Sequence, residues 1–122
     1  MRLYFVFEGK KCEPQLYRRW ISVCFPELTE VQTPGGLATD GTFLLLSGHG
    51  YPQVYDRAKE ALADLHDPAM GLDGLGIRFF LVVDSEDDSY GLRYEEAHQT
   101  IAQHSGSVYP AIIIQHCCVE TW

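Results

Sequence analysis

Two short runs constrain this chain most, because each is apolar at successive positions and each ends in an acid. The first is Leu3-Tyr4-Phe5-Val6-Phe7, followed by Glu8-Gly9-Lys10-Lys11. The second is Ile77-Arg78-Phe79-Phe80-Leu81-Val82-Val83, followed by Asp84-Ser85-Glu86-Asp87-Asp88. Runs rich in Val, Ile and aromatic residues, set between helical stretches, predict strands of a parallel sheet buried on both faces. Ligands of such sheets gather at the carboxyl ends of the strands. A carboxylate cluster there suits a hard divalent cation.

Between and beyond these runs the pattern alternates. Glu13-Pro14 opens a helix through Leu16, Tyr17, Trp20, Ile21 and Cys24, with an acid and a proline as start signals and Pro26 as its stop. Residues 27 to 41 hold Pro34, Gly35, Gly36 and Gly41 and predict an irregular connection or a weak additional strand. Thr42-Phe43-Leu44-Leu45-Leu46 is a strand, Ser47-Gly48-His49-Gly50 a turn. Tyr51-Pro52 begins a second helix with Val54, Tyr55, Ala58, Ala61, Leu62 and Leu65 on its apolar face. A glycine-bearing loop from Asp67 to Gly76 leads to the second acid-capped strand. A helix from about Leu92 to Gln103 and a strand from Tyr109 to Ile114 follow, then Gln115-His116-Cys117-Cys118-Val119-Glu120-Thr121-Trp122. Strand and helix alternate throughout, which predicts one α/β domain over residues 1–122 with right-handed crossovers. All strand ends then meet on one edge, bringing Glu8, the Ser47–Gly50 turn, Asp84 with Glu86, and Glu120 together.

Composition narrows the classes. A chain of 122 residues with 46% hydrophobic and 21% charged residues predicts an ordinary globular domain. No apolar stretch approaches the ~20 residues of a membrane helix. No basic segment with a cleavage site opens the sequence. The four cysteines lack zinc-ribbon spacing, so reduced thiols and a cytoplasmic location are expected. The net charge of −8, with 9 Lys and Arg, opposes a chain that binds polyanions unaided.

The ordered motifs resemble a known family. Glu8-Gly9-Lys10-Lys11-Cys12-Glu13-Pro14 is similar to the glutamate motif of Toprim domains, found in topoisomerases, primases, RNA maturases and OLD-type nucleases. Asp84-Ser85-Glu86 stands where that family carries Asp-x-Asp, and Cys118-Val119-Glu120-Thr121-Trp122 resembles the closing motif of small RloB-like Toprim proteins. Two departures stand out. Glu86 replaces the second Asp, with Asp87 and Asp88 close behind, and relatives continue with a helix where this sequence ends at Trp122.

The resemblance implies a Toprim-like, Rossmann-like three-layer sandwich with a central, mainly parallel sheet of about four strands and helices on both faces. It implies a nuclease-like domain that uses Mg²⁺ or Mn²⁺ to cleave or transfer phosphodiesters in DNA or RNA. An ATPase partner in defence against phage or plasmids, and self-association, belong to the same expectation. One or two ions supply charge stabilisation and an activated nucleophile. Asp84 and Glu86, or Asp87, are the expected ligands, direct or through water. Glu8 is a ligand or general acid/base, Glu120 a further ligand, and Lys10 or Lys11 a phosphate contact.

Plainer roles compete for the same residues. Glu8 alone reads as a solvated loop acid. Asp84 and Ser85 suit a helix cap, Asp87-Asp88 a solvated turn, and Glu13 a complement to the helix dipole. Gly48-His49-Gly50 reads as an anion site at a helix start or as a tight turn that requires glycine. His116, Cys117 and Cys118 cannot all face one way on a strand, which argues against zinc. Tyr17, Trp20, Phe43, Phe79 and Phe80 are expected in the core. Two other functions remain: a degenerate Toprim fold serving in binding or assembly, and a receiver domain. The receiver expects paired acids after the first strand, where Gly9 and Lys10 stand here.

Overall fold

The computed structural model describes residues 1–8, 12–48, 50, 53–72, 74–84, 90–104 and 109–115. Five strands form one parallel sheet: β1 (Arg2–Phe7), β2 (Thr29–Val31), β3 (Thr42–Ser47), β4 (Arg78–Asp84) and β5 (Tyr109–Gln115). Their order is β2-β3-β1-β4-β5. Three helices connect them: α1 (Cys12–Cys24), α2 (Gln53–His66) and α3 (Tyr90–His104). The expected α/β sheet is present, with five strands rather than about four. The fifth is β2, and a 3-10 turn at Pro34–Ala38 joins it to β3. Three residues, interrupted soon afterwards by Pro34, Gly35 and Gly36, are too few to show a strand period.

Strand alternation sorts the side chains into two layers. Tyr4 and Val6 of β1, Leu44 of β3, and Phe79, Leu81 and Val83 of β4 face α2, α3 and Leu37. Leu3, Phe5, Phe7, Phe43 and Val82 face Tyr17 and Ile21 of α1. Helices therefore cover both faces. Aromatic contacts bind the layers. Phe5 and Phe80, cross-strand partners, stack with centroids 4.5 Å apart, and Tyr17 meets Phe7 edge-on at 5.0 Å. Full burial of one such side chain contributes about 1.5–3 kcal/mol.

The six residues assigned to the apolar face of α2 are all buried. The reading of α1 needs correction at Trp20, which is 45% exposed. Among the described residues α1 is the one helix on its side of the sheet, and it buries a narrow stripe at Tyr17 and Ile21. Trp20 lies beside it, tilted against Tyr17 at 5.1 Å.

Arg2 ties the amino edge together. Its Nε donates to the Leu37 carbonyl at 2.8 Å, Nη2 to Ala38 at 3.1 Å and Nη1 to Leu75 at 3.4 Å. The first two carbonyls end the 3-10 turn, where intrahelical donors run out. Arg2→Met removes these charge-assisted bonds while keeping an apolar stem. It should lower unfolding free energy by about 1–3 kcal/mol in urea denaturation.

Candidate functional site at the carboxyl edge

The chain leaves β1 through α1 on one face of the sheet and leaves β4 through α3 on the other. It also departs in opposite directions, toward β2 from β1 and toward β5 from β4. The gap between β1 and β4 is therefore a topological switch point, where α/β sheets open a crevice for ligands. Glu8 follows β1 and Asp84 ends β4, so both reach the same edge from adjoining strands. Neighbouring strands lie ~4.8 Å apart. In the β1–β4 register Phe7 pairs with Val82, two residues before Asp84.

Glu8 is held from two sides. Its N–H donates to the Val82 carbonyl at 3.0 Å, continuing the ladder to β4. Its carbonyl accepts the Gly50 N–H at 2.8 Å, fastening it to the turn after β3. The residue is 7% exposed, which makes it a buried acid. The expectation of a solvated loop acid is thereby corrected: the backbone is clamped and the carboxyl group enclosed. Burial in low dielectric favours the protonated form of a carboxyl group, whereas charged or donating neighbours favour the carboxylate. A group so placed is suited to proton transfer or to taking a cation.

The glycines of the turn serve geometry. The Gly48 N–H donates to the Phe7 carbonyl at 2.6 Å, and Gly50 adopts φ 91° while accepting the Val54 N–H at 2.8 Å. With the Gly48 and Gly50 amides committed to β1, neither is left to cradle an anion. The positive φ expected of a tight turn is present at Gly50, whereas Gly48 is required by close approach. A Cβ at Gly48 would lie 2.9 Å from the Val54 Cα and 3.0 Å from the Phe7 carbonyl oxygen. The sequence signal for this brace was a glycine immediately after a strand, shared by every tight turn.

Other candidates divide as follows. Glu86, Asp87, Glu120, Lys10 and Lys11 lie outside the described residues, as do His116, Cys117 and Cys118. Glu13 sits in the first turn of α1. Among the described residues no group of three or more His, Cys, Asp or Glu is placed to hold a metal. Arg18, on α1 after Lys10 and Lys11, is committed to a carboxylate. Its guanidinium donates to both Glu30 oxygens, at 2.7 and 2.9 Å. That hydrogen bonding holds its pKa above the ordinary guanidinium value.

Gly48→Ala should cost about 1–3 kcal/mol, because two of the three atoms it meets, the Val54 Cα and the Phe7 carbonyl oxygen, are backbone and cannot rotate away. Gly50→Ala, with open space around its Cβ but positive φ, should cost about 1–2 kcal/mol. Thermal melting of the two variants checks that order. Compared with family models, curated proteins and solved structures, the chain matches none.

Proposed function

We propose that this domain is a Mg²⁺- or Mn²⁺-dependent, Toprim-like nuclease domain acting on phosphodiesters of nucleic acid. The observation that carries the proposal is the buried Glu8, clamped at a switch point beside the strand that ends in Asp84. Phosphodiester cleavage needs a cation on the non-bridging oxygens and a group that moves a proton. Glu8 fits either role. Asp84 and, after it, Glu86 or Asp87 supply the hard oxygen donors that Mg²⁺ prefers. Glu120 adds a further ligand, and Lys10 and Lys11 the phosphate contact. An enclosed carboxyl group also gains more from a bound cation than a solvated one does, because screening is weaker.

A second reading has its own support. A net charge of −8, with Arg18 already paired to Glu30, leaves little cationic surface for a polyanion. The same fold then serves in binding or assembly. The two readings converge if a cationic domain, subunit or ATPase partner delivers the strand to this edge.

Metal linkage tests the proposal. Mg²⁺ or Mn²⁺ at about 100 times its Kd stabilises a one-site protein by ~2.7 kcal/mol, so the melting temperature should rise by several degrees. Asp84→Asn should remove most of that rise without lowering the metal-free melting temperature. Equal responses in wild type and Asp84→Asn would remove the metal site. In Mn²⁺ at low salt, with its partner present, Glu8→Ala should cut cleavage of DNA or RNA by about 100-fold or more. The isolated chain should cleave poorly at physiological salt.

A further inference from the structure

A second concavity lies away from Glu8, between α2, the start of the 3-10 turn and the β1–β3 half of the sheet. Its volume is about 120 Å³. Leu44, Leu46, Ala61 and the Tyr4 ring contribute its apolar lining. The rim is polar: Gln32 on one side, and Arg57, Glu60 and Asp64 from successive turns of α2 on the other.

Four properties of this lining select a ligand. Size comes first: at about 120 Å³ the concavity is somewhat smaller than the ~150 Å³ that takes a benzene ring, so a single small ring seated partly at the rim matches it better than a fused bicycle. Charge comes second. One guanidinium against two carboxylates makes the rim negative, which disfavours phosphates and carboxylates. Third, the Arg57 Nη1 already donates to Glu60 at 3.2 Å, whereas Asp64 forms no ion pair among the described residues. Asp64 is the acceptor on offer. Fourth, the Arg57 Nε is enclosed without an acceptor. A buried donor left unmade is costly, so a small rotation of the guanidinium toward a ligand acceptor gains a bond. The Tyr4 hydroxyl lies within the electrostatic reach of both Arg57 and Asp64; burial first, then Asp64, pushes its pKa upward and keeps it a neutral donor.

We infer that this cavity binds a planar, uncharged, single-ring heterocycle with an amino group beside a ring acceptor, the pattern of cytosine. Asp64 accepts from the amino group, Arg57 donates to the acceptor, and Leu44, Leu46 and Ala61 contact the ring. Such a site reads the ring and not the phosphate, which suits an acidic chain. The inference rests on the nucleic-acid reading above for the source of the ring, but its binding requires neither metal nor cleavage.

The test is amide chemical-shift titration of the full chain with cytidine and with uridine, in the absence of divalent metal. Cytidine should shift Tyr4, Gln32, Ala61 and Asp64. Uridine, which turns a carbonyl toward Asp64, should bind at least about tenfold more weakly. Asp64→Asn, an exposed substitution that leaves the core intact, should weaken cytidine about tenfold and strengthen uridine, because the new amide donates. A short cytosine oligonucleotide that binds more tightly than cytidine assigns the ring to a strand. One that binds more weakly assigns it to a free nucleoside, and both results retain the site. Cytidine that leaves these four residues unmoved, uridine that binds equally well, or Asp64→Asn that changes neither would overturn it. Loss of metal binding alone would leave it standing.

Discussion

The pairing of β1 on both sides is the constraint on which everything at the carboxyl edge depends. β1 is hydrogen-bonded to β3 over Arg2–Phe7 and to β4 over Leu3–Phe7. A strand with two partners has no freedom to slip, because a shift of one residue would exchange its two buried faces. Tyr4 and Val6 would then turn toward α1, and Phe5 and Phe7 toward α2. The position of Glu8 is inherited from that register. So is the alignment of the Phe7 and Glu8 carbonyls with the Gly48 and Gly50 amides.

The parts of the fold visible in the sequence are those with a repeating pattern. Leu3–Phe7 and Phe79–Val83 announced themselves as strands because nothing polar interrupts them, and α2 because its apolar residues recur at helical intervals. β2 was indistinct because three residues beside a proline and two glycines carry no period. Trp20 was misjudged for a different reason. Helical spacing tells which residues share a side, not how wide a strip the sheet covers, and no second described helix lies beside α1 to cover Trp20. At the edge, the sequence showed that Glu8 and Asp84 both follow strands. That the strands adjoin is a fact of topology, and local pattern does not contain it. The backbone clamp on Glu8 is likewise not local, since Gly50, some forty residues along the chain, supplies one side of it.

Charge placement separates two kinds of group in this molecule. Arg18 with Glu30, and Arg57 with Glu60, are ion pairs at or near the surface, where water and salt leave each about 0–1 kcal/mol. They orient side chains more than they stabilise the fold. Glu8 is the opposite case, enclosed at the meeting of three strands, where electrostatic effects are larger. The same number of formal charges therefore has unequal influence, and an edit at the rim and one at Glu8 should not be judged by the same scale.

The central strand of the sheet precedes both of its partners in the chain. Leu3-Tyr4-Phe5-Val6-Phe7 leaves the ribosome with neither neighbour in existence. β3 follows only after α1, β2 and the 3-10 turn, and β4 after α2 as well. During that interval a strongly apolar segment with unsatisfied backbone groups on both sides is free to pair with another nascent chain. The topology that later encloses Glu8 thus leaves β1 open to aggregation until β3 and β4 have been made. The rate of elongation through residues 8–77, and chaperone occupancy over the same stretch, then bear on yield alongside the stability of the finished sheet.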